Sequence, residues 1–406
     1  MNYLSLLEKV PNILKEIAEF RTSGVKPNGK LAIGYGLAKK VGEEASRFGV
    51  GKALFITDKT IVNLGLHKVV LDSLEKAGYS VDMRDDIEPE PHYETAERIQ
   101  EYVRKTAYKV VVGMGGGSAM DMAKVAAIMA TNEGEALQYM TGTPIKNEGL
   151  PCILLPTTSG TGSEVSPFVV VSKDDKKLFI STPYAYATIA LVDPLLTVTM
   201  PPRVTAATGL DALTHGVEGL MGKPNPLSEM FTSKCVEYVF KYLPRACADG
   251  NDLEARYYMS FASVLGMMSY TQGGGLYSHS MSYILTIHNN QPHGLGCGVT
   301  LPYTVMYNYE YVQDMLVKFA RIVIPEAKGT DEEVALKMVE QFRSLLEQIN
   351  VPVSLEGLGV AQDSIEVFAD ELVNKYYRLR NPRSMNLEEA KRLVEAMWHG
   401  RLEKVS

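Results

Sequence analysis

The fold is decided by the stretch Lys109-Val-Val-Val-Gly-Met-Gly-Gly-Gly-Ser-Ala-Met-Asp-Met-Ala-Lys124. The residues after Lys109 are apolar and β-branched, as in a buried strand, and the last residues of the stretch are typical of a helix. Between them lie three consecutive glycines, Gly115 to Gly117. A strand that runs through glycines into a helix predicts a phosphate site, because bare backbone amides and the helix dipole meet there. The alternative is a tight turn that binds nothing.

Short apolar runs alternate with helical stretches on both sides of this motif. The predicted strands cover residues 31–34, 53–57, 80–83 and 109–113, and the predicted helices cover residues 36–48, 66–77, 92–106 and 118–130. This alternation predicts an α/β domain with a mostly parallel, doubly wound sheet, which binds dinucleotides at the carboxyl ends of its strands. Apolar and charged residues mixed before the first strand predict a helical N-terminal extension over residues 1–25.

Closely spaced prolines between Pro194 and Pro202 end the alternation. From Arg203 onward the sequence has few β-branched runs and many long helical periods. The predicted helices there cover residues 226–243, 252–271, 310–323, 331–349, 362–375 and 387–403. The sequence therefore predicts two domains, an α/β dinucleotide-binding domain over residues 1–202 and an all-α domain over residues 203–406.

Composition excludes several classes of protein. The 406 residues include 41 basic and 48 acidic ones, with a formal net charge of -7 and no block of like charge, which argues against nucleic acid or an anionic membrane as a partner. Four widely spaced cysteines without a CxxC pair favour a reducing compartment. With neither a signal-peptide pattern nor a run of membrane-spanning length, we expect a cytoplasmic protein.

Two polar residues lie in the middle of a predicted helix in the second half, within Gly209-Leu-Asp-Ala-Leu-Thr-His215. Apolar residues recur there at helical spacing and predict one apolar stripe, and Asp211 and His215 lie off it. Because the two residues are four positions apart on a helix, their side chains can point at one common position, where a divalent metal would fit. The alternative is a solvated pair on the surface. His279 and His293 follow downstream, and one carboxylate with three imidazoles suits Fe²⁺, Zn²⁺ or a similar ion.

A hydroxyl-rich stretch, Pro156-Thr-Thr-Ser-Gly-Thr-Gly-Ser-Glu164, separates two apolar runs. Its short hydrogen-bonding groups suit a phosphate, a ribose or a nicotinamide carboxamide, although a polar hairpin would have the same composition. Asp58 directly follows the predicted strand 53–57. A carboxylate there accepts hydrogen bonds from a ribose diol and repels a 2′-phosphate, unless it is only a turn residue.

Taken together, these motifs resemble those of the iron-containing (group III) alcohol dehydrogenase family. The resemblance rests on Gly209–His215, His279, Pro292-His293-Gly294 and the two nucleotide motifs, and it covers about residues 30 to 400. It implies a divalent metal, Fe²⁺ in the family with Zn²⁺ or another ion as the alternative. The implied ligands are Asp211, His215, His279 and His293.

The same resemblance implies a nicotinamide cofactor. Its phosphates would be held by Gly115, Gly116, Gly117 and Ser118. Asp121 would lie near the nicotinamide, Lys177 would contact a ribose, and Asp58 would favour NAD over NADP. The cofactor contacts implied in the hydroxyl-rich stretch are Thr157, Thr158, Thr161 and Ser163. A homodimer or larger homo-oligomer is also implied.

The sequence departs from the family near the metal motif. Tyr283 stands where the family usually has a histidine that is thought to help proton transfer. His288, five residues on, is an alternative proton relay, or else a surface histidine. Cys297 stands where an asparagine is common, so the wall behind His293 is expected to differ.

These observations predict a metal-dependent oxidoreductase that transfers hydride between a nicotinamide and a primary alcohol or aldehyde in a cleft between the domains. A hydroxyacid or polyol dehydrogenase of the same fold is the nearest alternative. A dehydroquinate-synthase-like lyase would need a basic phosphate pocket, and the sequence has no basic residue around His279 and His293. A cofactor-free metal hydrolase or a noncatalytic scaffold would leave the glycine and hydroxyl motifs without a role.

Overall fold

The computed structural model describes residues 3–10, 18–20, 24–26 and 29–404. The chain clusters into two compact units, Met1–Met200 and Pro201–Ser406. No helix in the described part of the chain is long and apolar enough to cross a membrane.

The first unit contains all the strands described. They are β1 (Ala18–Phe20), β2 (Lys30–Ile33), β3 (Lys52–Ile56), β4 (Ser80–Arg84), β5 (Val110–Gly115), β6 (Cys152–Pro156), β7 (Phe168–Lys173), β8 (Lys176–Ser181) and β9 (Ile189–Val192). Seven of them form one sheet in the order β1-β2-β9-β6-β5-β3-β4, and β7 pairs with β8 in a separate antiparallel hairpin. Six strands of the large sheet are parallel and β1 is an antiparallel edge, which confirms the predicted α/β class.

The central strands are apolar on both faces. Every residue of β5, β6 and β9 is buried, as expected for parallel strands that are covered on both sides. Because these strands are parallel, the ends of β3, β5 and β6 lie at the same edge of the sheet. The residues that follow them are therefore brought together, although they are far apart in the sequence.

Seven helices described in the first unit accompany the sheet. They are α1 (Tyr3–Glu8), α2 (Val41–Ser46), α3 (Lys59–Asn63), α4 (Lys68–Lys76), α5 (Tyr93–Arg104), α6 (Gly117–Met129) and α7 (Ala136–Met140). The predicted helical extension over residues 1–25 is wrong at Ala18–Phe20, which form β1 by pairing with Leu31, Ala32 and Ile33 of β2. Residues 1–2, 11–17 and 21–23 of that prediction lie outside the described residues.

The second unit is helical throughout its described residues. Its helices are α8 (Pro202–Gly222), α9 (Pro226–Ala248), α10 (Leu253–Gly273), α11 (Tyr277–Asn289), α12 (His293–Tyr307), α13 (Tyr309–Val323), α14 (Asp331–Gln348), α15 (Ile365–Asn374) and α16 (Leu387–His399). Several begin at clear signals: α8 has Pro202 in its first turn, and Asn225, Thr330 and Asn386 form capping boxes at α9, α14 and α16.

The central helix of this unit is α8. The prediction of a single apolar stripe is wrong, since nearly every residue from Thr205 to Met221 is buried, including Asp211 and His215. The helix packs against α9, α10 and α12, which cover its different faces. Buried polar residues in such a place require partners, because an unpaired charge in an apolar core is costly.

Candidate active site

Three helices of the second unit bring the predicted metal ligands together. Asp211 and His215 lie one turn apart on α8, His279 lies in the first turn of α11, and His293 is the first residue of α12. The Asp211 Oδ1 atom is 3.8 Å from Nε2 of His215 and 3.8 Å from Nε2 of His293. The ring of His279 has its centroid 4.8 Å from that of His215 and 5.5 Å from that of His293.

Two polar atoms of this cluster lack hydrogen-bond partners among the described residues. They are Oδ1 of Asp211 and Nε2 of His279, and both are fully buried. Buried polar atoms are nearly always paired, so atoms left open beside one another indicate a missing ligand. A carboxylate oxygen and imidazole nitrogens are donors that suit a first-row divalent metal, so these residues fit the ion implied by the resemblance.

Cys297 also reaches this point. One ligand atom each from Asp211, His279, His293 and Cys297 lie within 4.8 Å of one another, a group that does not include His215. The Cys297 sulfur is 3.7 Å from Nε2 of His293, one turn earlier on α12. The expected change in the wall behind His293 is thus a thiol close to the candidate ligands.

A buried carboxylate that the sequence analysis missed orients His279. The Glu218 carboxylate accepts a hydrogen bond from Nδ1 of His279 at 2.6 Å, and from the backbone amides of Leu276 and Ser278 at 2.5 and 2.7 Å. Burial lowers the pKa of His279, and the opposing effect of Glu218 does not restore it. The imidazole is therefore neutral, with its proton on Nδ1 and the Nε2 lone pair towards the cluster.

Ser282 has the corresponding role for His293. Its Oγ donates to the His293 carbonyl oxygen at 2.6 Å and lies 2.7 Å from Nδ1 of the same residue. Since the hydroxyl has only one proton to donate, Nδ1 is the donor in the second contact and Nε2 carries the lone pair. Second partners of this kind fix the tautomer of metal-binding histidines.

Glycine allows α12 to approach α8 closely at this point. A Cβ atom at Gly294 would lie 2.2 Å from the Ala207 carbonyl oxygen, and one at Gly298 would lie 2.5 Å from Cβ of Leu210. Any other residue would push the helices apart. This close packing keeps His293 within reach of Asp211.

Tyr283 lies against the cluster. Its ring stacks on that of His293, with centroids 5.3 Å apart and an interplanar angle of 17°. Burial raises the pKa of Tyr283 to about 12, so its phenol is protonated at neutral pH. Although the sequence has no basic residue near His279 or His293, the fold brings in Arg378, whose guanidinium carbon is 5.6 Å from the Tyr283 ring centroid.

His288, the other candidate for the proton path, lies further along α11. It is nine residues after His279, which corresponds to about 14 Å along a helix. Its Nε2 is 3.1 Å from Oε1 of Glu371, and its ring packs on Phe368. These contacts are those expected of a surface histidine, so its role as a relay stays a prediction.

In the first unit, the glycine motif and the hydroxyl-rich stretch meet at the end of β5. The Thr157 amide donates to the Gly115 carbonyl oxygen at 2.9 Å. A Cβ atom at Gly116 would lie 3.7 Å from Thr158, and one at Gly117 would lie 3.1 Å from Thr161. The Thr158 hydroxyl is buried without a hydrogen-bond partner among the described residues, which fits a polar ligand at the start of α6.

Asp58 reaches the same edge of the sheet. Its Oδ1 accepts a hydrogen bond from the Ile61 amide at 3.1 Å and caps α3. A Cβ atom at Gly115, where φ is +154°, would lie 3.1 Å from the other carboxylate oxygen. The turn role and a position beside the phosphate motif therefore both apply to this residue.

The remaining predicted cofactor residues already have partners. Asp121 accepts hydrogen bonds from the Ser163 hydroxyl at 2.6 Å and the Val170 amide at 2.9 Å, and it pairs with Lys124 at 3.4 Å. Further contacts join the Ser118 hydroxyl to the Glu90 amide, and Lys177 to the carboxylate of Glu90 and the hydroxyl of Ser172.

Comparisons with known proteins match both units. The model for iron-containing alcohol dehydrogenase matches residues 28–194, and the model for the C-terminal part of that family matches residues 205–398. The chain belongs to the iron-containing alcohol dehydrogenase family. The resemblance inferred from the motifs is thereby confirmed.

Individual members of the iron-containing alcohol dehydrogenase family match over most of their length. The chain is 34% identical to long-chain-alcohol dehydrogenase 1 of Geobacillus thermodenitrificans, covering 91% of this chain and 95% of the relative. It is 36% identical to choline dehydrogenase of Bacillus subtilis, covering 87% and 89%. The solved structure of sulfoacetaldehyde reductase from Bifidobacterium kashiwanohense, in complex with NAD⁺, matches with a TM-score of 0.82 at 30% identity, covering 93% of this chain and 98% of that one.

Family membership establishes the class of reaction. The chain is an enzyme of the iron-type alcohol dehydrogenases, and it carries out nicotinamide-dependent oxidoreduction of alcohols and aldehydes. The family uses a nicotinamide cofactor and a divalent metal. The predicted fold, enzyme class and small-molecule substrate are thereby confirmed at this level.

Proposed function

We propose that this chain is a metal-dependent dehydrogenase that holds Fe²⁺ with Asp211, His215, His279 and His293. The observation that carries the proposal is the pair of open buried atoms, Oδ1 of Asp211 and Nε2 of His279. His215 and His293 each present Nε2 at 3.8 Å from that same Asp211 oxygen. A bound divalent ion would supply Lewis acidity, which favours loss of the alcohol proton and polarises an aldehyde carbonyl.

The residues around the proposed metal site orient its histidines and supply a hydrogen-bond donor. Glu218 and Ser282 hold His279 and His293 in the tautomers that direct Nε2 inward. Tyr283 lies on the His293 ring and keeps its proton at neutral pH, so it can donate a hydrogen bond beside the reacting oxygen. We assign the position of the family histidine to Tyr283, with His288 as the alternative that lies further along α11.

The cofactor is held by the first unit. Gly115, Gly116, Gly117 and Ser118 offer close-approaching backbone at the start of α6, and Thr157, Thr158, Thr161 and Ser163 offer hydroxyls beside them. Asp121 and Lys177 order this region through their own contacts. We infer NAD as the cofactor, because the Asp58 carboxylate lies next to Gly115 and would repel the 2′-phosphate of NADP.

The substrate is a primary alcohol or its aldehyde. The names of the relatives above indicate substrates that carry an apolar, a cationic or an anionic group away from the reacting alcohol or aldehyde. Membership in the family therefore does not determine the charge of that part of the substrate. A hydroxyacid dehydrogenase remains a second candidate because Arg378 lies beside the cluster. The domain boundary after residue 202, the cytoplasmic location and the homodimer stay predictions.

Elemental analysis and one absorbance assay test the proposal. Freshly purified protein should contain about one divalent ion per chain. With NAD and short primary alcohols it should form NADH, and chelation should abolish this activity until Fe²⁺ or Zn²⁺ is returned. NADH formation that persists in metal-free protein would contradict the assigned centre. A preference for NAD over NADP that is unchanged in Asp58→Gly would remove Asp58 from the argument.

A further inference from the structure

Arg378 occupies an unusual position in the second unit. It lies in the segment between α15 and α16, nearly one hundred residues after the cluster residues that it contacts. Its Nε donates to the Ser280 hydroxyl at 2.8 Å, and Ser280 directly follows His279 on α11. The Ser280 hydroxyl in turn donates to the Tyr376 carbonyl oxygen at 2.7 Å. The guanidinium is thereby held beside the cluster.

Arg378 forms no salt bridge with a carboxylate among the described residues, although the charge of Glu218 acts on it at longer range. Nearby cations differ: Lys375 pairs with Glu371 at 3.4 Å, and Arg383 pairs with Glu389 at 2.6 Å. Glu218, the buried carboxylate closest to the cluster, already accepts hydrogen bonds from His279 and two backbone amides. A guanidinium offers five donor hydrogens, of which the contact with Ser280 uses one and a hydrogen bond with Tyr283 uses another.

The guanidinium lies close to the proposed metal ligands. Tyr283 lies between them, since its ring stacks on His293 and is 5.6 Å from the Arg378 guanidinium carbon. The Arg378 side chain is only partly buried. A small molecule bound at the cluster can therefore extend past Tyr283 to the guanidinium.

We propose that Arg378 binds an anionic group on the far end of the substrate. The substrate class is then a short alcohol or aldehyde that also carries an oxyanion, such as a carboxylate or a sulfonate. The planar guanidinium fork matches two oxygens of such a group, and charge-assisted hydrogen bonds of this kind are the strong ones. The same charge repels a cationic amino alcohol. This inference rests on the proposed function, because it assigns the other end of the substrate to the metal cluster.

Matched substrates test the inference on the unmodified enzyme. The metal-loaded full chain is assayed for NADH formation with 4-hydroxybutyrate, with the neutral 1,4-butanediol and with the cationic 4-amino-1-butanol; shorter and longer members of each series cover the length. We expect kcat/KM for the best anionic substrate to exceed that for its neutral counterpart by roughly ten-fold or more, with the cationic one poorest. Equal values for all three charge types would overturn the inference.

Variants identify the residue responsible. Arg378→Gln should raise KM for the anionic substrate roughly ten- to one-hundred-fold and lower kcat/KM for the neutral diol far less, and Arg378→Lys should retain part of the affinity. Arg380→Gln is the matched control, because Arg380 is exposed and bonds only the Gly273 carbonyl oxygen at 3.3 Å among the described residues. Equal losses for anionic and neutral substrates in Arg378→Gln would overturn the assignment.

The two proposals fail in different ways. Turnover of neutral alcohols without a preference for anions would remove the substrate assignment and leave the dehydrogenase intact. No NADH formation or consumption with any alcohol or aldehyde would overturn the proposed function, and the substrate assignment with it.

Discussion

Two buried aspartates, one in each unit, look alike in the sequence and differ in the structure. Asp121 has both carboxylate oxygens occupied, by Ser163, the Val170 amide and Lys124. Asp211 has an oxygen with no hydrogen bond among the described residues, and imidazoles surround it. The first aspartate joins α6 to the segment after β6 and to strand β7, whereas the second presents an open ligand atom. The difference teaches that an unsatisfied buried acceptor distinguishes a ligand site from a structural network.

The largest effect is expected at the open aspartate. Asp211→Ala removes the one carboxylate among the four proposed ligands, so the variant should lose bound metal and roughly a thousand-fold or more in NADH formation, since Lewis acidity supplies several kcal/mol. NADH binding, measured by fluorescence titration, should be retained because the cofactor residues lie in the other unit. Asp314→Ala, at an exposed position on α13, is the control. A folded Asp211→Ala protein with full metal content would show that Asp211 is not a metal ligand, and the contrast with Asp121 would no longer hold.

Asp121, whose two carboxylate oxygens both have partners, should affect the stability of the fold rather than metal binding. Asp121→Ala leaves the buried Lys124 ammonium without its carboxylate, which is expected to cost about 3–5 kcal/mol in the free energy of unfolding. Metal content should be unchanged. Urea denaturation followed by circular dichroism measures the loss. As a control, Asp174→Asn removes the charge of an exposed pair with Lys173 at a position whose left-handed backbone asparagine tolerates, and it should cost less than about 1 kcal/mol. Equal costs for the two variants would mean that the Asp121 network is not structural.

A third buried carboxyl, Glu164, makes the first unit sensitive to pH. Burial raises the pKa of Glu164 to about 7 from its ordinary value near 4.5. A raised pKa means that the folded state holds the proton more tightly than the unfolded state. The contribution of Glu164 to the free energy of unfolding is therefore fully present below about pH 4.5 and is lost as the pH rises through about 7. The expected loss is about 3 kcal/mol.

Glu164→Gln should remove this pH dependence. In protein without cofactor, the urea midpoint of the variant should rise relative to that of the unmodified chain between pH 5 and pH 8. If the two midpoints run parallel over that range, Glu164 does not titrate as its burial implies.

A smaller effect is expected from the carboxylate behind His279. Glu218→Gln keeps an oxygen acceptor but removes the charge that favours the Nδ1–H tautomer, so metal affinity should fall roughly ten- to one-hundred-fold. Competition with a chelator measures this affinity, and Glu237→Gln on the surface of α9 is the control. Unchanged affinity would restrict Glu218 to a structural role at the start of α11.

Sequence patterns predicted more of the secondary structure in the first unit than around the metal cluster of the second. Strands β2 to β5 and the helices α2, α4, α5 and α6 of the first unit followed from alternating apolar runs, because parallel strands buried on both faces have a distinct composition. Strands β1, β8 and β9 were not predicted. Helices α11 and α12 were not predicted, since glycine, proline and histidine interrupt their periodicity. Glu218 had a usable signal: it lies four and seven residues after Thr214 and Asp211, so it shares a helix face with Asp211 and His215.

By itself, the sequence determined the α/β and all-helical halves, the phosphate motif and the family to which the ligand residues belong. These features depend on local composition and on motifs that are read along the chain. Only the tertiary structure decided that α8 is buried on nearly every side, that Glu218 and Ser282 orient the histidines, and that Arg378 reaches the cluster. The physical reason is that each of these depends on contacts between helices distant in the chain, which local spacing does not encode.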